Sequence, residues 1–331
     1  MKDMKRTIAI VCGGDSSEHD VSLRSAQGLY SFFDKERYNI YIVDVKGTDW
    51  HVNLDNGHVA AINKNDFSFN NGARTVFFDY AYITIHGRPG ENGIMQGYFE
   101  LINIPYSTCD VLMSALTFDK FVLNRYLKSY GIRVPESILL RIGDEYDEKE
   151  IEAKIGMPCF IKPATDGSSF GVSKVKNADQ IAPALRKAFM ESSEVMVEGF
   201  LDGIEITQGI YKTKEKSVPF PITEVVTSNE FFDYNAKYNG EVDEITPARI
   251  SNELAERVTE ITSRIYDILH ANGIIRIDYI ITKDNEGNDV INMLEVNTTP
   301  GMTTTSFIPQ QVRAAGLDIK DVLSDIVENQ F

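Results

Sequence analysis

The sequence predicts a mixed α/β protein that opens with a doubly wound α/β unit and contains an antiparallel hairpin near its C-terminus. At the N-terminus, the apolar strand 7–12 runs into a Gly-Gly turn and then a helix over about residues 20–33, the usual opening of such a unit. Near the other end, the stretches 274–281 and 291–297 alternate apolar and polar residues around a turn-rich connection. The 331 residues are enough for two or three packed units.

Composition limits the classes of function. With 43% hydrophobic and 25% charged residues the chain is typical of a soluble globular protein. A formal charge of −16 without any Lys/Arg run disfavours nucleic acid as a partner. Cys12, Cys109 and Cys159 lack metal-ligand spacing, so we expect buried thiols in a reducing compartment. No segment approaches the roughly 20 apolar residues that span a bilayer, and no signal peptide is recognisable, so we expect a cytoplasmic protein without a membrane partner.

The first glycine turn predicts a ligand site but not a dinucleotide site. Gly13 and Gly14 are not followed by the G-x-G-x-x-G spacing, which disfavours a dehydrogenase. Glu18 and Ser22 lie near the start of the following helix, where either could bind a small ligand or simply cap the helix. Both interpretations remain open from these residues alone.

The rest of the first unit places a histidine at the edge of the predicted sheet. Strand 38–45 is followed by an irregular, polar stretch over 50–73 that could form a surface hairpin, then by strand 80–85, a glycine-rich loop 86–93 and helix 96–101. A lone His such as His86 is more often structural than catalytic. Its position after a parallel strand, beside the Gly14 turn, is nevertheless where doubly wound folds bind ligands.

The pattern changes at 105–110, where we place the first boundary. A helix over 114–129 contains Lys120, a charged helix follows at 147–154, and strand 157–163 ends near Lys162. The Gly/Ser loop 166–174 could lay backbone N–H groups on phosphates beside Lys162, although such a loop taken alone is more often an ordinary hairpin turn. It is not a Walker loop, because no G-K-[ST] closes it.

The next elements are helix 178–191 and strand 194–201, which leads towards Glu205. Residues 217–249 are poor in regular pattern, and the aromatic, polar loop within about 223–244 is typical of a lid. A long helix over 252–272 then precedes the hairpin, and helix 318–329 closes the chain.

The hairpin predicts a metal site. Glu295 and Asn297 share one face of their strand, as do Arg276 and Asp278 on the other. If the registers match, Asp278, Glu295 and Asn297 converge, with Arg276 at the edge, and such hard oxygen ligands suit Mg²⁺. The alternative is an exposed polar ribbon. The threonine-rich and glycine-containing segment 298–306, where backbone N–H groups can face an anion, favours the metal site.

Taken together, these motifs resemble the D-alanine–D-alanine ligase family of the ATP-grasp superfamily, in family order from about residue 8 to residue 323. The stretches that carry the resemblance are 13–22, 86–93, 161–171, 236–238, 276–278 and 294–302. The resemblance implies an N-terminal Rossmann-like α/β domain (1–108) followed by a two-part ATP-grasp fold. Its parts are a central subdomain (109–198) and a C-terminal subdomain (199–331) that carries the metal site and a lid at about 223–244.

The resemblance also implies an activity. ATP phosphorylates the carboxylate of one D-alanine, and the amine of a second attacks the acylphosphate to give a tetrahedral intermediate, then D-alanyl-D-alanine, ADP and phosphate, for peptidoglycan precursor synthesis. Two Mg²⁺ ions, with Mn²⁺ as a substitute, are implied on Asp278, Glu295 and Asn297. A homodimer is the family expectation.

Residue roles follow by position from the same resemblance. Glu18 would receive the first D-alanine's ammonium and His86 would lie near its carboxylate; Arg276 and the Gly301 N–H would stabilise the acylphosphate and oxyanion; Ser306 would bind the second carboxylate. A triad of Glu18, Ser168 and Tyr238 would close the lid. The residues expected around ATP are Lys120, Lys162, Ser168, Ser169, Glu198, Gly199, Leu201 and Glu205.

Tyr238 favours an amine over a hydroxyl nucleophile, since relatives that make D-alanyl-D-lactate carry other residue types there. Two positions depart from the family pattern: Asn92 stands where Asp is usual, and Gly199 where many relatives have a larger polar residue. The alternatives are a D-alanine–D-lactate or D-alanine–D-serine ligase and a non-catalytic nucleotide-binding protein.

Overall fold

The structure is a computed structural model that describes residues 5–54, 57–165, 171–227 and 242–331, and these fold into three β-sheets with helices packed against them. The first sheet has seven strands in the order β6-β5-β4-β3-β2-β1-β7. Its strands are β1 (Arg6–Gly13), β2 (Tyr38–Lys46), β3 (Asp49–Asn53), β4 (Val59–Asn63), β5 (Ser68–Asn70), β6 (Thr75–Val76) and β7 (Tyr80–Ile83).

The parallel, doubly wound part of this sheet is its β2-β1-β7 end. β1 pairs in parallel with β2 and β7, while β2 to β6 form an antiparallel meander. The stretch 50–73 is therefore more regular than predicted, and the hairpin considered for it is present as the β3–β4 pairing. In these short strands the buried residues Val52, Ala60 and Ile62 alternate with more exposed positions, so the stretch packs one face onto the core.

Two helices complete this unit. α1 (His19–Phe32) buries Ser22, Ser25, Ala26 and Leu29, and α2 (Ile94–Leu101) follows the glycine-rich loop. The Gly14 turn and the His86 loop therefore both lie at the carboxyl edge of the parallel strands, as the sequence predicted. Gly14 itself has φ +96 and backs onto the carbonyl of Arg88, where a Cβ would lie 2.9 Å from that oxygen.

The predicted helix 114–129 is two helices, α3 (Val111–Phe118) and α4 (Lys120–Ser129). Asp119 breaks them with an extended backbone (φ −93, ψ 105), and its carboxylate accepts from the N–H groups of Phe121 and Val122 at 3.0 and 2.9 Å. An Asp in the middle of a predicted helix indicates such a break, because Asp is more favourable as an N-cap residue than inside a helix.

The second sheet is wholly antiparallel, in the order β10-β9-β11-β8. Its strands are β8 (Ser137–Arg141), β9 (Cys159–Pro163), β10 (Ser173–Val175) and β11 (Glu194–Gly199). α5 (Glu148–Ile155), a short 3₁₀ turn (Ala178–Gln180) and α6 (Ile181–Ala188) supply the remainder of a separate hydrophobic core.

The third sheet has six strands, with the path β15-β14-β12-β16-β17 and β13 paired to β12. The strands are β12 (Ile204–Lys212), β13 (Ser217–Pro219), β14 (Thr223–Thr227), β15 (Val242–Ile245), β16 (Ile274–Lys283) and β17 (Asp289–Asn297). The described parts of 217–249 are thus more regular than predicted, because β13 and β14 pair with β12 and β15 pairs with β14. The helices are α7 (Asn252–Ile268), α8 (Phe307–Ala314), which the sequence reasoning missed, and α9 (Ile319–Glu328).

Shared hydrophobic cores hold the sheets around a cleft. α3, α4 and α7 share one core with the third sheet. A second core joins the first sheet and α1 to α8, α9 and Met302. At this contact Gly28 is required, because a Cβ there would lie 2.3 Å from the carbonyl oxygen of Met302. The domain boundaries at 108 and 198 stay predictions.

The three cysteines are buried and free, as predicted. Burial raises the pKa of each thiol, to about 11 for Cys109 and Cys159, so these are unreactive core thiols. Within the described ranges, no helix has both the length and the apolar character needed to cross a bilayer.

Candidate active site

One cavity of about 890 Å³ lies where the three sheets meet, and every described residue proposed for the site lines it. Those residues are Glu18, His86, Lys120, Lys162, Glu198, Gly199, Leu201, Glu205, Arg276, Asp278, Glu295, Asn297, Gly301 and Ser306. Ser168, Ser169 and Tyr238 lie outside the described residues. Because the lining comes from all three sheets, the cavity exists only in the assembled fold.

The β16–β17 hairpin brings the predicted metal ligands together. Asp278 is paired with Glu295 and Arg276 with Asn297, and a register shift follows Asp278. The Asn297 amide nitrogen lies 3.3 Å from Asp278 Oδ2 and 3.3 Å from Glu295 Oε1. The predicted convergence of the three side chains is therefore confirmed.

Arg276 lies in the middle of this cluster rather than at its edge as predicted. Its Nε and Nη2 donate to the two oxygens of Asp278 at 2.9 and 2.8 Å, and Nη2 lies 3.9 Å from Glu295. Burial disfavours the charged guanidinium, but Asp278, Glu295 and Glu205 raise the pKa of Arg276 above its usual value. The side chain is thus a fixed cation facing the cavity.

The donor set fits a hard divalent cation. Asp278 and Glu295 offer carboxylate oxygens, and rotation of the Asn297 amide brings its oxygen to the place where its nitrogen now donates. Within the described ranges, this site included, no group of three His, Cys, Asp or Glu could hold a metal. A metal on this site therefore needs the amide oxygen and oxygens from a substrate to complete its coordination.

Lys162 and Glu198 form the most buried ion pair of the cavity wall. Lys162 Nζ lies 2.6 Å from Glu198 Oε1, the side chains are 16% and 3% exposed, and Asn124 lies 3.4 Å from the other Glu198 oxygen. Lys120 is the first residue of α4. Its backbone N–H donates to the carbonyl of Ala164 at 2.9 Å, two residues after Lys162. Two lysines from different elements thus border the same part of the cavity.

Backbone packing around Gly199 explains its departure from the family pattern. Its N–H donates to the carbonyl of Glu136 at 2.9 Å, and a Cβ would lie 3.3 Å from the carbonyl oxygen of Ile155. A larger residue would require this wall to move by a few tenths of an ångström. Asn92, the other departure, accepts a long 3.4 Å bond from Ile94 N at the exposed start of α2, away from the cavity lining.

Glu18 and His86 line the same cavity, and Glu18 at the start of α1 acts electrostatically on His86 of the glycine-rich loop. Glu18 holds the N-cap position of α1, but its side chain accepts no capping bond from the described helix. Ser22 instead ties the loops, accepting from Gly13 N at 2.9 Å and donating to the carbonyl of Thr84 at 2.7 Å. Burial lowers the pKa of His86, with Arg276 acting in the same direction and Glu18 opposing it, so the ring is neutral at pH 7.

Gly301 and Ser306 meet in the segment between β17 and α8. Ser306 is the N-cap residue of α8, and its Oγ lies 2.7 Å from Thr303 Oγ1 and 3.1 Å from Thr303 N. A Cβ on Gly301 would lie 2.9 Å from Ser306 Oγ. Glycine at this position therefore allows the Ser306 hydroxyl to lie close to the backbone of residue 301.

Sequence reasoning assigned no role to three further polar residues near the site. Thr207 donates to Asp278 Oδ1 at 2.5 Å, which fixes that carboxylate. Glu91 and Thr299 meet at 2.7 Å. Glu91 lay in a quoted motif and could have been singled out, whereas Thr207 is found only from the β12–β16 register.

Comparison with known proteins is consistent along the whole chain. Residues 7–109 match the family model for the D-ala D-ala ligase N-terminus, and residues 126–328 match that for the D-ala D-ala ligase C-terminus. The chain is 65% identical to a D-alanine–D-alanine ligase of Bacteroides fragilis over 99% of this chain and 100% of that protein. It is 49% identical to that of Porphyromonas gingivalis over 98% of both.

Solved structures show the same fold. The VanG D-Ala:D-Ser ligase of Enterococcus faecalis matches with a TM-score of 0.86 at 30% identity, over 99% of this chain and 100% of that one. The D-alanine–D-alanine ligase of Bacillus anthracis complexed with ATP matches with a TM-score of 0.76 at 28% identity, over 98% and 97%.

Proposed function

The chain belongs to the D-alanine–D-alanine ligase family, and from this premise we propose that it joins two D-alanines to D-alanyl-D-alanine with ATP, as a step in peptidoglycan synthesis. The observation that supports this most directly is the single cavity of about 890 Å³. Its lining includes Lys120 and Lys162, the Arg276–Asp278 pair, and Gly301 with Ser306.

In the first step, an oxygen of the first D-alanine's carboxylate attacks the γ-phosphorus of ATP, and ADP leaves. Lys120 and Lys162 hold the phosphates, while Glu198, Gly199 and Leu201 border the adenine and Glu205 the ribose. Glu18 receives the ammonium of the D-alanine and neutral His86 lies beside its carboxylate. The protein's contribution is to position the reactants and to compensate charge.

The metal site belongs to this step. Asp278, Glu295 and Asn297 would hold two Mg²⁺ ions, or Mn²⁺ in their place, which offset the charge on the phosphates when bound. Arg276 already carries the permanent positive charge of this cluster, held by two hydrogen bonds to Asp278.

In the second step, the amine of the second D-alanine attacks the acyl carbon, the C–N bond forms, and phosphate leaves from the tetrahedral intermediate with the C–O electron pair. Ser306 binds the carboxylate of the incoming D-alanine. Arg276 and the Gly301 N–H stabilise the negative charge that develops on the acyl oxygen, where preorganised donors contribute most.

A lid completes the site in this proposal. Ser168 and Ser169 close over the phosphates, and Tyr238 joins Glu18 and Ser168 so that water is kept from the acylphosphate. We further propose a homodimer in the cytoplasm, which is the family expectation.

Product analysis tests the proposal. Purified protein, ATP and Mg²⁺ are incubated with D-alanine alone, and with D-alanine plus excess D-serine or D-lactate, and products are identified by mass spectrometry. We expect the D-alanyl-D-alanine dipeptide with equal ADP release, and little mixed product. Since the VanG structure belongs to a D-Ala:D-Ser ligase, a predominant D-alanyl-D-serine product would reassign the acceptor, and ATP binding without turnover would overturn the ligase assignment.

A further inference from the structure

Glu91 is a carboxylate of the cavity wall that the proposed mechanism leaves without a role. It lies in the glycine-rich loop after β7, and its two oxygens accept from different parts of the chain. Oε2 accepts from Gly87 N at 2.7 Å, and Oε1 accepts from Thr299 Oγ1 at 2.7 Å. A single side chain therefore connects two loops that are 208 residues apart in sequence.

Each loop holds one side of the first substrate site. Gly87 directly follows His86, and Thr299 is two residues before Gly301. Both His86 and Gly301 line the cavity. The Glu91 contacts thus set the distance between the group placed at the first D-alanine's carboxylate and the N–H placed at its developing oxyanion.

A carboxylate suits this connection better than a neutral side chain. Both of its oxygens accept, whereas the amide of Gln has a single acceptor oxygen, and charge-assisted bonds are roughly twice as strong as neutral ones. Burial raises the pKa of Glu91 to about 7, with Glu18 acting in the same direction, and the bonds from Thr299 and Gly87 and the charge of Lys120 oppose it. Burying an ionisable side chain costs solvation free energy. Its presence here therefore indicates a role in holding the two loops in position.

We propose that Glu91 is a positioning residue for the first D-alanine, holding the Thr299–Gly301 segment against the His86 turn through Thr299 and Gly87. The proposal rests on the proposed function. It acts on the formation of the acylphosphate. Losing the Thr299 hydroxyl keeps the Glu91 carboxylate near Lys120, and Lys162 and Glu198 lie on another sheet without a described bond to Glu91, so breaking the Thr299 bond leaves ATP binding unchanged.

The test removes the hydroxyl while keeping the shape. Thr299→Val lacks the donor to Glu91, and Thr299→Ser is the matched control that retains it. The first half-reaction is isolated with ATP, D-alanine and hydroxylamine, which attacks the acylphosphate to give D-alanyl hydroxamate and phosphate. We expect Thr299→Val to lower kcat/KM for D-alanine by about ten- to hundredfold, with KM for ATP within twofold and Thr299→Ser near wild type.

A second comparison separates positioning from folding. Glu91→Gln and the double variant Glu91→Gln/Thr299→Val are measured in the same assay, together with the thermal midpoint. Because both changes break one contact, the double variant should lose less than the product of the single losses. Wild-type kcat/KM in Thr299→Val, a parallel rise in KM for ATP, or multiplicative losses would each overturn the positioning role. If wild type itself makes no hydroxamate, the ligase assignment fails instead.

Discussion

Replacing Arg276 tests whether the central cation of the cavity acts on the reaction or on ATP binding. Arg276→Lys keeps the positive charge beside Asp278 and Glu295 but cannot reproduce the two-pronged contact at 2.9 and 2.8 Å. Because the carboxylates stay compensated, we expect a loss of only about 1–2 kcal/mol in stability. The substitution removes the guanidinium donor that faces the negative charge developing on the substrate, which lowers kcat by about 10²- to 10³-fold.

Arg276→Met is the harsher comparison. It leaves Asp278 and Glu295, whose side chains are 14% and 33% exposed, without their cation. Breaking a buried pair in this way costs about 3–5 kcal/mol, and we expect the lower half of that range because Glu295 is partly exposed. The two variants together separate loss of charge from loss of geometry.

The assays are ADP release for kcat, calorimetric titration with ADP for nucleotide affinity, and urea unfolding for stability. Arg313→Lys is the matched control, since Arg313 donates to the carbonyl of Thr304 at 2.9 Å on the neighbouring surface and does not line the cavity. Its kcat should equal that of wild type. Equal fold losses in kcat and nucleotide affinity for Arg276→Lys would refute a role in the reacting state.

Three further changes probe the walls of the cavity. Lys162→Met leaves Glu198, 3% exposed, without its partner at 2.6 Å, and should lower the free energy of unfolding by about 3–5 kcal/mol; adding Glu198→Gln should restore most of it in urea titrations, and an unchanged single variant would contradict the pairing. Glu91 has a folded pKa of about 7 against 4.5 for the free group, a difference of 2.5, so the folded state binds the proton more tightly and wild-type stability falls as pH rises from 4.5 through 7. Relative to wild type, Glu91→Gln should therefore gain about 2–3 kcal/mol between pH 4.5 and pH 8, and a constant difference across that range would refute the shift. Asp119→Ala should cost about 1 kcal/mol by removing the α4 cap, whereas Asp119→Asn should lower the thermal midpoint far less.

Local patterns predicted the hairpin well because both of its strands and its turn are contiguous in sequence. Period-2 alternation placed Glu295 beside Asn297 and Asp278 beside Arg276, and a short connection left few registers to choose from. The register shift after Asp278 is what local pattern could not supply. It is one reason why Arg276 lies among the carboxylates and not at their edge.

The missed elements have a different cause. β13, β14 and β15 are short, and each is stabilised by pairing with another strand of the third sheet, β13 and β14 with β12 and β15 with β14. The same holds for the contacts that complete the site: Thr207 reaches Asp278 over 71 residues and Thr299 reaches Glu91 over 208. Propensity and spacing carry no information on such pairings, so only the assembled fold reveals them.

The two best-defined cations of the cavity, Lys162 and Arg276, already have carboxylate partners in the described structure, Glu198 and Asp278. Neither cation therefore contributes its full Coulombic attraction to a phosphate or an oxyanion. The net contribution is the difference in interaction energy between the contact with the substrate and the existing contact with the carboxylate. For Arg276, the gain in interaction energy grows as negative charge develops on the substrate. Asp278 holds the guanidinium in place but does not cancel its attraction for that new charge. A cation oriented in advance by a carboxylate thus binds the ground state weakly and the reacting state strongly, which is the distribution of binding energy that raises kcat.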